Sequence, residues 1–116
     1  MNDLFEKLKI IRYQLLVAEE EYEKHDARIA KLKEAQQDYQ LALRKGKQLF
    51  DELEYYWQGE EAKHFIFQAK DELFQEEKMT NEQFYDCYDE MKRDKIQLQE
   101  SIRELEKNYR TEARED

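Results

Sequence analysis

Apolar residues in the first half of the chain recur at alternating intervals of three and four positions. They form two heptad series: Leu4, Ile11, Ala18, His25, Leu32, Tyr39, Gly46 and Leu53; and Leu8, Leu15, Tyr22, Ile29, Gln36, Leu43, Phe50 and Trp57. His25, Gln36 and Gly46 are the weak positions. A heptad that continues without a skip over this length predicts a long helix that packs along another helix.

The second half of the chain carries two shorter apolar stripes in different registers. They are Ala62, Ile66, Ala69 and Leu73; and Phe84, Tyr88, Met91, Leu98, Ile102, Leu105 and Tyr109, with Lys95 as a weak position. The step falls near residues 78–84, where Thr80 and Gln83 have the form of a capping box. Two alternatives are open: a helix that is broken near Thr80, or a continuous helix with a register shift.

Residues that interrupt helices are scarce in the rest of the chain, because it has no proline and only two glycines. Folding it back at residues 58–59 aligns the apolar layers of the two halves and puts Gln36 opposite Asn81. We therefore predict an all-α fold, an elongated antiparallel two-helix hairpin in a single domain of residues 1–116. Arm one covers about 3–57, the turn about 57–60 and arm two about 61–112.

Apolar residues also lie outside the stripes that face the other arm. Near the N-terminus they are Ile10, Tyr13, Leu16 and Val17, and around the bend Phe65, Phe67 and Phe74. Two helices cannot cover both sets, so we expect a four-helix dimer or a heteromeric bundle. The alternative is that the rings lie along the groove of the hairpin. The predicted partner-binding residues are Ile10, Val17, Phe65, Phe67 and Phe74.

Composition narrows the choice of partner. Charged residues make up 42% of the chain and its formal net charge is −9, which disfavours nucleic acid. No apolar run is long enough to insert in a membrane, and the N-terminus does not resemble a Sec-type signal peptide. We expect no metal or other cofactor and no catalytic residues, and Cys87 is predicted to be a small buried filler. The expected protein is not an enzyme.

A central Trp57-Gln58-Gly59 in an otherwise unpunctuated helical chain resembles the turn of the WXG100-like proteins of type VII secretion. Gly59 would leave the helix, while Trp57 would pack against the returning arm. The chain departs from that family in its longer arms and in lacking the Tyr-x-x-x-Asp/Glu tail, since Tyr109 is followed by Ala113. Tyr85 and Asp89 form an export-type motif of this spacing, but within arm two.

These departures make the chain more similar to the small helical partners of LXG-domain toxins in Gram-positive bacteria. That resemblance implies an adaptor or targeting chaperone that binds the helical LXG domain, together with or without a second small helical protein, for type VIIb secretion. It implies a cytoplasmic protein, retained or exported with its cargo. The alternatives are a homodimeric coiled-coil structural protein and a secreted WXG100-type effector.

Overall fold

A computed structural model describes residues 2–114 as two long helices joined by a short bend. Helix α1 runs from Asn2 to Tyr56 and helix α2 from Glu60 to Arg114, with 55 residues each. No strand occurs within this range. The all-α, two-helix fold predicted from the heptads is confirmed.

Helix α2 continues without interruption through residues 78–83. Of the two alternatives for arm two, the continuous helix with a register shift is therefore the one adopted. Thr80 and Gln83 lie inside the helix and do not cap a new one. The stretch contains neither glycine nor proline, so nothing in its backbone chemistry forces a break.

Burial along α1 follows the two heptad series. Every half-buried or buried residue of this helix belongs to one of them, with Glu21 as the single addition among the described residues. Leu53 and Trp57, the last members of the two series, are exposed. We call the face along which the two helices contact each other the seam. The weak positions His25, Gln36 and Gly46 are half-buried, so they belong to the seam although none of them has an apolar side chain.

In α2 the covered face includes one extra step of four residues. It passes from Ala69 to Leu73 and then to Glu77 before it regains the heptad at Phe84. Two consecutive steps of four locally unwind a heptad seam, and a helix absorbs that change by a small twist rather than a break. The register shift seen in the sequence is thus taken up at Glu77, a residue that pairs with Lys47.

The chain divides into two compact units. One contains residues 2–30 of α1 and residues 89–114 of α2. The other contains residues 31–88, and therefore the bend itself. Each unit consists of one segment of α1 beside one segment of α2. We refer to them as the terminal unit and the bend unit.

Gly59 makes the bend. Its φ angle is +124°, a backbone conformation that residues with a Cβ rarely adopt. The backbone N–H of Trp57 donates to the carbonyl oxygen of Leu53 at 2.7 Å, and the N–H of Lys63 donates to the carbonyl oxygen of Gly59 at 3.0 Å. The first bond completes the end of α1 and the second begins α2. Glu60 and Glu61 lie in the first turn of α2, where their negative charges stabilise the helix by interacting with the positive end of its dipole.

The pairing register of the bend unit differs from the predicted one by about a helical turn. Asn81 accepts a hydrogen bond from the side chain of Gln40, at 3.1 Å, where Gln36 was predicted opposite it. The rings of Trp57 and Phe65 lie 5.5 Å apart, so Trp57 is level with the second turn of α2. Both contacts join residues about one turn further along α2 than the predicted fold-back places them.

Candidate partner-binding surfaces

The protected core of the described chain is small. Only Leu43, Ala62 and Ile66 are buried, with 6%, 2% and 2% of their surfaces exposed, and all three belong to the bend unit. The remaining seam residues are half-buried from Leu4 to Phe50 in α1 and from Ala69 to Tyr109 in α2. A pair of helices has no third element to cover them, so the side of each seam residue that faces away from the partner helix stays open to solvent.

In the terminal unit, α1 is apolar on two sides. Leu8, Ile11 and Leu15 are half-buried in the seam, whereas Ile10 and Val17 are exposed. Helical spacing puts these two residues on one outward stripe with Tyr13 and, to one side, Leu16. We call these four residues the N-terminal apolar face. The two predicted contact residues, Ile10 and Val17, are among them.

In the bend unit, the predicted contact residues lie on two different sides of α2. Phe65 packs against Trp57 on one flank, with an angle of 54° between the two ring planes. Phe67 and Phe74 project from the other flank. All three phenylalanines are exposed, and Phe67 most, at 72%. The sequence prediction grouped these residues together, and the structure separates Phe65 from the other two.

Phe74 borders an open groove between the two helices of the bend unit. The groove has a volume of about 420 Å³, and its floor is apolar. A second groove, of about 520 Å³, follows towards the bend and includes Phe67 and Trp57. The first is lined by Lys47, Phe50, Asp51, Lys70, Leu73, Phe74 and Glu77, and the second by Glu54, Trp57, Gln58, Lys63, Ile66, Phe67 and Lys70.

Lys70 separates the two grooves. Its ammonium pairs with Glu54 and, at 3.7 Å, with Asp51, so that the ion pairs cross from α2 to α1. The hydrogen bond to Glu54 raises the pKa of Lys70 above its ordinary value of 10.5, the two carboxylate charges add to the effect, and partial desolvation opposes it. Lys47 makes a further cross-helix pair with Glu77, at 3.1 Å.

A polar cluster lies across the seam of the terminal unit. Lys95 pairs with Asp26 at 2.5 Å and lies 5.1 Å from the centre of the Tyr22 ring, and Gln99 donates to the Tyr22 hydroxyl at 2.9 Å. The hydrogen bond to Asp26 raises the pKa of Lys95 above 10.5, against partial desolvation. Lys95, a weak position in the sequence pattern, therefore has specific partners in the seam.

Tyr85 and Asp89, the residues of the export-type motif, lie within α2. Tyr85 is exposed. Asp89 is half-buried and accepts a hydrogen bond from Arg93 at 2.6 Å. The carboxylate is therefore already engaged on its own helix.

The prediction that Cys87 is a buried filler is wrong, because its side chain is exposed. Its apolar sequence neighbours suggested burial, yet Phe84 and Tyr88 point into the seam while Cys87 lies on the side of the helix next to it. In residues 2–114 no cluster of three or more His, Cys, Asp or Glu side chains is arranged for a metal. Within residues 2–114, neither α1 nor α2 contains an apolar stretch of the length that spans a membrane.

Several exposed apolar residues escaped the sequence prediction. On α1 they lie outside both heptad series, which was the available signal for finding them. The set is Phe5, Leu41, Leu49, Tyr55 and Tyr56 on α1, and Met79 and Ile96 on α2. Leu49 and Tyr56 are one heptad apart, so the bend unit has a further apolar strip along α1.

Comparison of this chain with protein-family models, curated proteins and solved structures finds no match.

Proposed function

We propose that the protein is a non-enzymatic adaptor that binds the helical domain of a secretion substrate. The observation that carries the proposal is the set of exposed apolar side chains on faces turned away from the helix–helix seam. Ile10 and Val17 in the terminal unit, and Phe67 and Phe74 in the bend unit, are accessible in the free chain. Apolar faces of this kind on a helix pair are satisfied by further helices.

The thin core supports the same function. With three buried residues among those described, the hairpin has little hydrophobic stabilisation of its own. Packing against long partner helices would cover the open sides of half-buried seam residues and the outward apolar residues together. An adaptor whose own helices are completed by its cargo would therefore gain both affinity and stability from the complex.

The resemblance of the Trp57-Gln58-Gly59 turn suggests which substrate to test first. We propose the N-terminal helical domain of an LXG-type toxin, which this adaptor would accompany to the type VII secretion apparatus, with or without a second small helical protein. The adaptor would act before export, in the cytoplasm, either remaining there or leaving with its cargo.

The experiment is co-expression with a protein encoded beside this one that begins with a long helical domain. Co-elution in size-exclusion chromatography, at a mass above that of either protein alone, is the expected result. Ile10→Glu combined with Val17→Glu should abolish co-elution because it buries two carboxylates in an apolar interface. Gln37→Glu combined with Gln97→Glu adds the same charge at exposed polar positions away from this face and should leave binding intact.

Two outcomes would contradict the adaptor. Failure of the wild-type protein to co-elute with such a domain is one. The other is a sharply melting homodimer of the chain alone in which Ile10, Val17, Phe67 and Phe74 are all protected, since that would leave no face for a partner. Far-UV circular dichroism of each variant verifies that its helices are formed.

A further inference from the structure

One flank of α2 in the bend unit carries lysine and phenylalanine in alternation. Lys63, Phe67, Lys70, Phe74 and Lys78 follow one another at intervals of four, three, four and four residues. Such intervals keep all five side chains on one side of the helix. We call this the lysine–aromatic flank. It borders both grooves of the bend unit through Lys63, Phe67, Lys70 and Phe74.

The opposite flank of the same helix segment has the opposite charge. There the helical spacing places Glu61, Phe65, Glu72 and Glu76 together, with no lysine or arginine among them. Both flanks therefore offer exposed aromatic rings, but only one offers cations. The two grooves that the lysine–aromatic flank borders are lined by three lysines and three carboxylates, so their charges balance in a chain with a net charge of −9.

The three lysines of this flank are not equivalent. Lys70, in the middle, is neutralised by Glu54 and Asp51 of α1. Lys63 and Lys78 form no ion pair with any residue of the described chain, although Lys78 borders a shallow depression that is also lined by Asp71, Glu72, Glu76 and Glu82. The two lysines without an ion-pair partner thus lie at the two ends of the flank, 15 residues or roughly 22 Å apart on a helix.

We propose that the lysine–aromatic flank binds an acidic amphipathic helix, whose apolar residues contact Phe67 and Phe74 and whose carboxylates pair with Lys63 and Lys78. The inference rests on the proposed function, since it gives the chemistry of one helix of the partner. A partner helix fits if it has acidic residues about two heptads apart and apolar residues at heptad spacing between them. An apolar centre with charged pairs at its ends is the usual anatomy of a specific interface.

Charge argues against a second copy of this chain as the occupant. A two-fold symmetric dimer through this flank would place lysines against lysines. Contact between the lysine–aromatic flank of one copy and the acidic flank of the next would be head-to-tail, and such contacts propagate into open chains unless they close a ring. An anionic membrane is also disfavoured, because the carboxylates elsewhere on the chain would be repelled from its surface.

The test uses the full-length protein and a synthetic three-heptad peptide with leucine at the seam positions, glutamate beside them and no tryptophan. Trp57 is the only tryptophan and lines the same groove as Phe67, so its emission reports occupancy. We expect the acidic peptide to shift this emission to the blue and to bind more weakly as salt concentration rises. The same peptide with lysine in place of glutamate should not bind.

Variants locate the site. Lys63→Glu combined with Lys78→Glu should weaken binding of the acidic peptide by about tenfold or more, since it replaces two attractions by two repulsions. The matched control is Lys31→Glu combined with Lys45→Glu, two exposed lysines two heptads apart on the outward face of α1 that form no ion pair in the described chain. It makes the same change in net charge and should alter the affinity less than about twofold.

Equal binding of the acidic and basic peptides, or equal effects of the two double variants, would overturn the inference. So would binding of phosphatidylserine vesicles that depends on Lys63 and Lys78, or an oligomer of the chain that these reversals dissociate, because either would assign the flank to another occupant. If the helical domain of a secretion substrate co-elutes but the acidic peptide does not bind, the adaptor stands and this inference fails. If the peptide binds and no such domain co-elutes, the lysine–aromatic flank binds acidic helices but the adaptor proposal fails.

Discussion

Gly59 shows how much of the bend depends on one residue. Its φ angle of +124° belongs to a region that is open almost only to glycine, while a Cβ built on it would meet no atom within 4 Å. The cost of a side chain here is therefore a backbone cost and not a clash. Gly46 also has free space for a Cβ, but it lies inside α1 with helical backbone angles.

The pair of substitutions Gly59→Ala and Gly46→Ala should accordingly have opposite effects. We expect Gly59→Ala to lower the free energy of unfolding by about 1–3 kcal/mol, because alanine is strained at this φ. Gly46→Ala should raise it by roughly 0.5–1 kcal/mol, because alanine is the better helix former. Urea denaturation followed by circular dichroism measures both values. A neutral Gly59→Ala would show that the bend does not require the left-handed conformation.

Ile66 and Phe67 are neighbours with opposite burial, at 2% and 72% exposed. Ile66→Ala should lower the free energy of unfolding by about 2–5 kcal/mol, because it removes a methyl-rich side chain from the small core. Phe67→Ala should change it by less than about 0.5 kcal/mol, since surface substitutions rarely do more. Chemical denaturation tests stability, and the peptide titration should give the opposite order for binding. Equal stabilities of the two variants would place the core elsewhere.

The heptad positions of α1 follow one another without a skip, but some of them are occupied by polar residues. Gln36 is half-buried at a heptad position and makes no side-chain hydrogen bond to another described residue, whereas its neighbour Gln37 is exposed. An apolar side chain at position 36 would extend the seam by one layer.

Gln36→Leu is therefore expected to raise the free energy of unfolding by about 1 kcal/mol, the value of burying part of a leucine side chain. Gln37→Leu makes the same chemical change on the solvent side and should be within about 0.5 kcal/mol of wild type. Thermal and urea unfolding provide the comparison. If position 37 gave the larger gain, the seam assigned to α1 would be rotated from its true position.

The pairing of α1 with α2 in the terminal unit includes the ion pair of Lys95 and Asp26. Because the folded-state pKa of Lys95 is raised above 10.5, its contribution to stability is fully present below that pH. The contribution is lost as pH rises through the higher folded value. The direction is that of a cation stabilised by its partner.

Lys95→Met should thus differ from wild type in melting temperature by a constant amount between about pH 7 and about pH 9. This difference should become smaller above pH 10.5, because the wild-type protein then loses the contribution of the ion pair. Lys92→Met, at an exposed position that forms no ion pair in the described chain, is the control whose difference should stay flat. Melting curves across this range measure the effect. A flat difference for Lys95→Met as well would show that the pair does not contribute to folding.

For the whole molecule, the proposed partner should act as a stabiliser. Only three residues of the described chain are buried, so folding of the free protein is expected to be marginal. A helical domain present at 100 times its dissociation constant should add about 2.7 kcal/mol to the free energy of unfolding. Denaturation with and without the domain measures this gain. The Ile10→Glu/Val17→Glu variant should lose most of it, and an equal gain in that variant would exclude the N-terminal apolar face from the interface.

Much of the fold followed from the sequence because its signals are local and periodic. Without proline, and with glycine at only two positions, the chain has few places to leave a helix, and the heptad from Leu4 to Phe50 identified the covered face of α1 residue by residue. The exposure of Ile10, Val17, Phe65, Phe67 and Phe74 also agrees with their positions outside the seam.

The tertiary structure decided what depends on how two helices meet. The pairing of Asn81 with Gln40 depends on where α2 lies along α1, a geometry that no spacing within one helix contains. The exposure of Cys87 and the neutralisation of Lys70 by α1 follow from the same relative placement. Periodicity determined which face of each helix is apolar; only packing determined which side chains of the two helices share a groove, and hence which lysines remain for a partner.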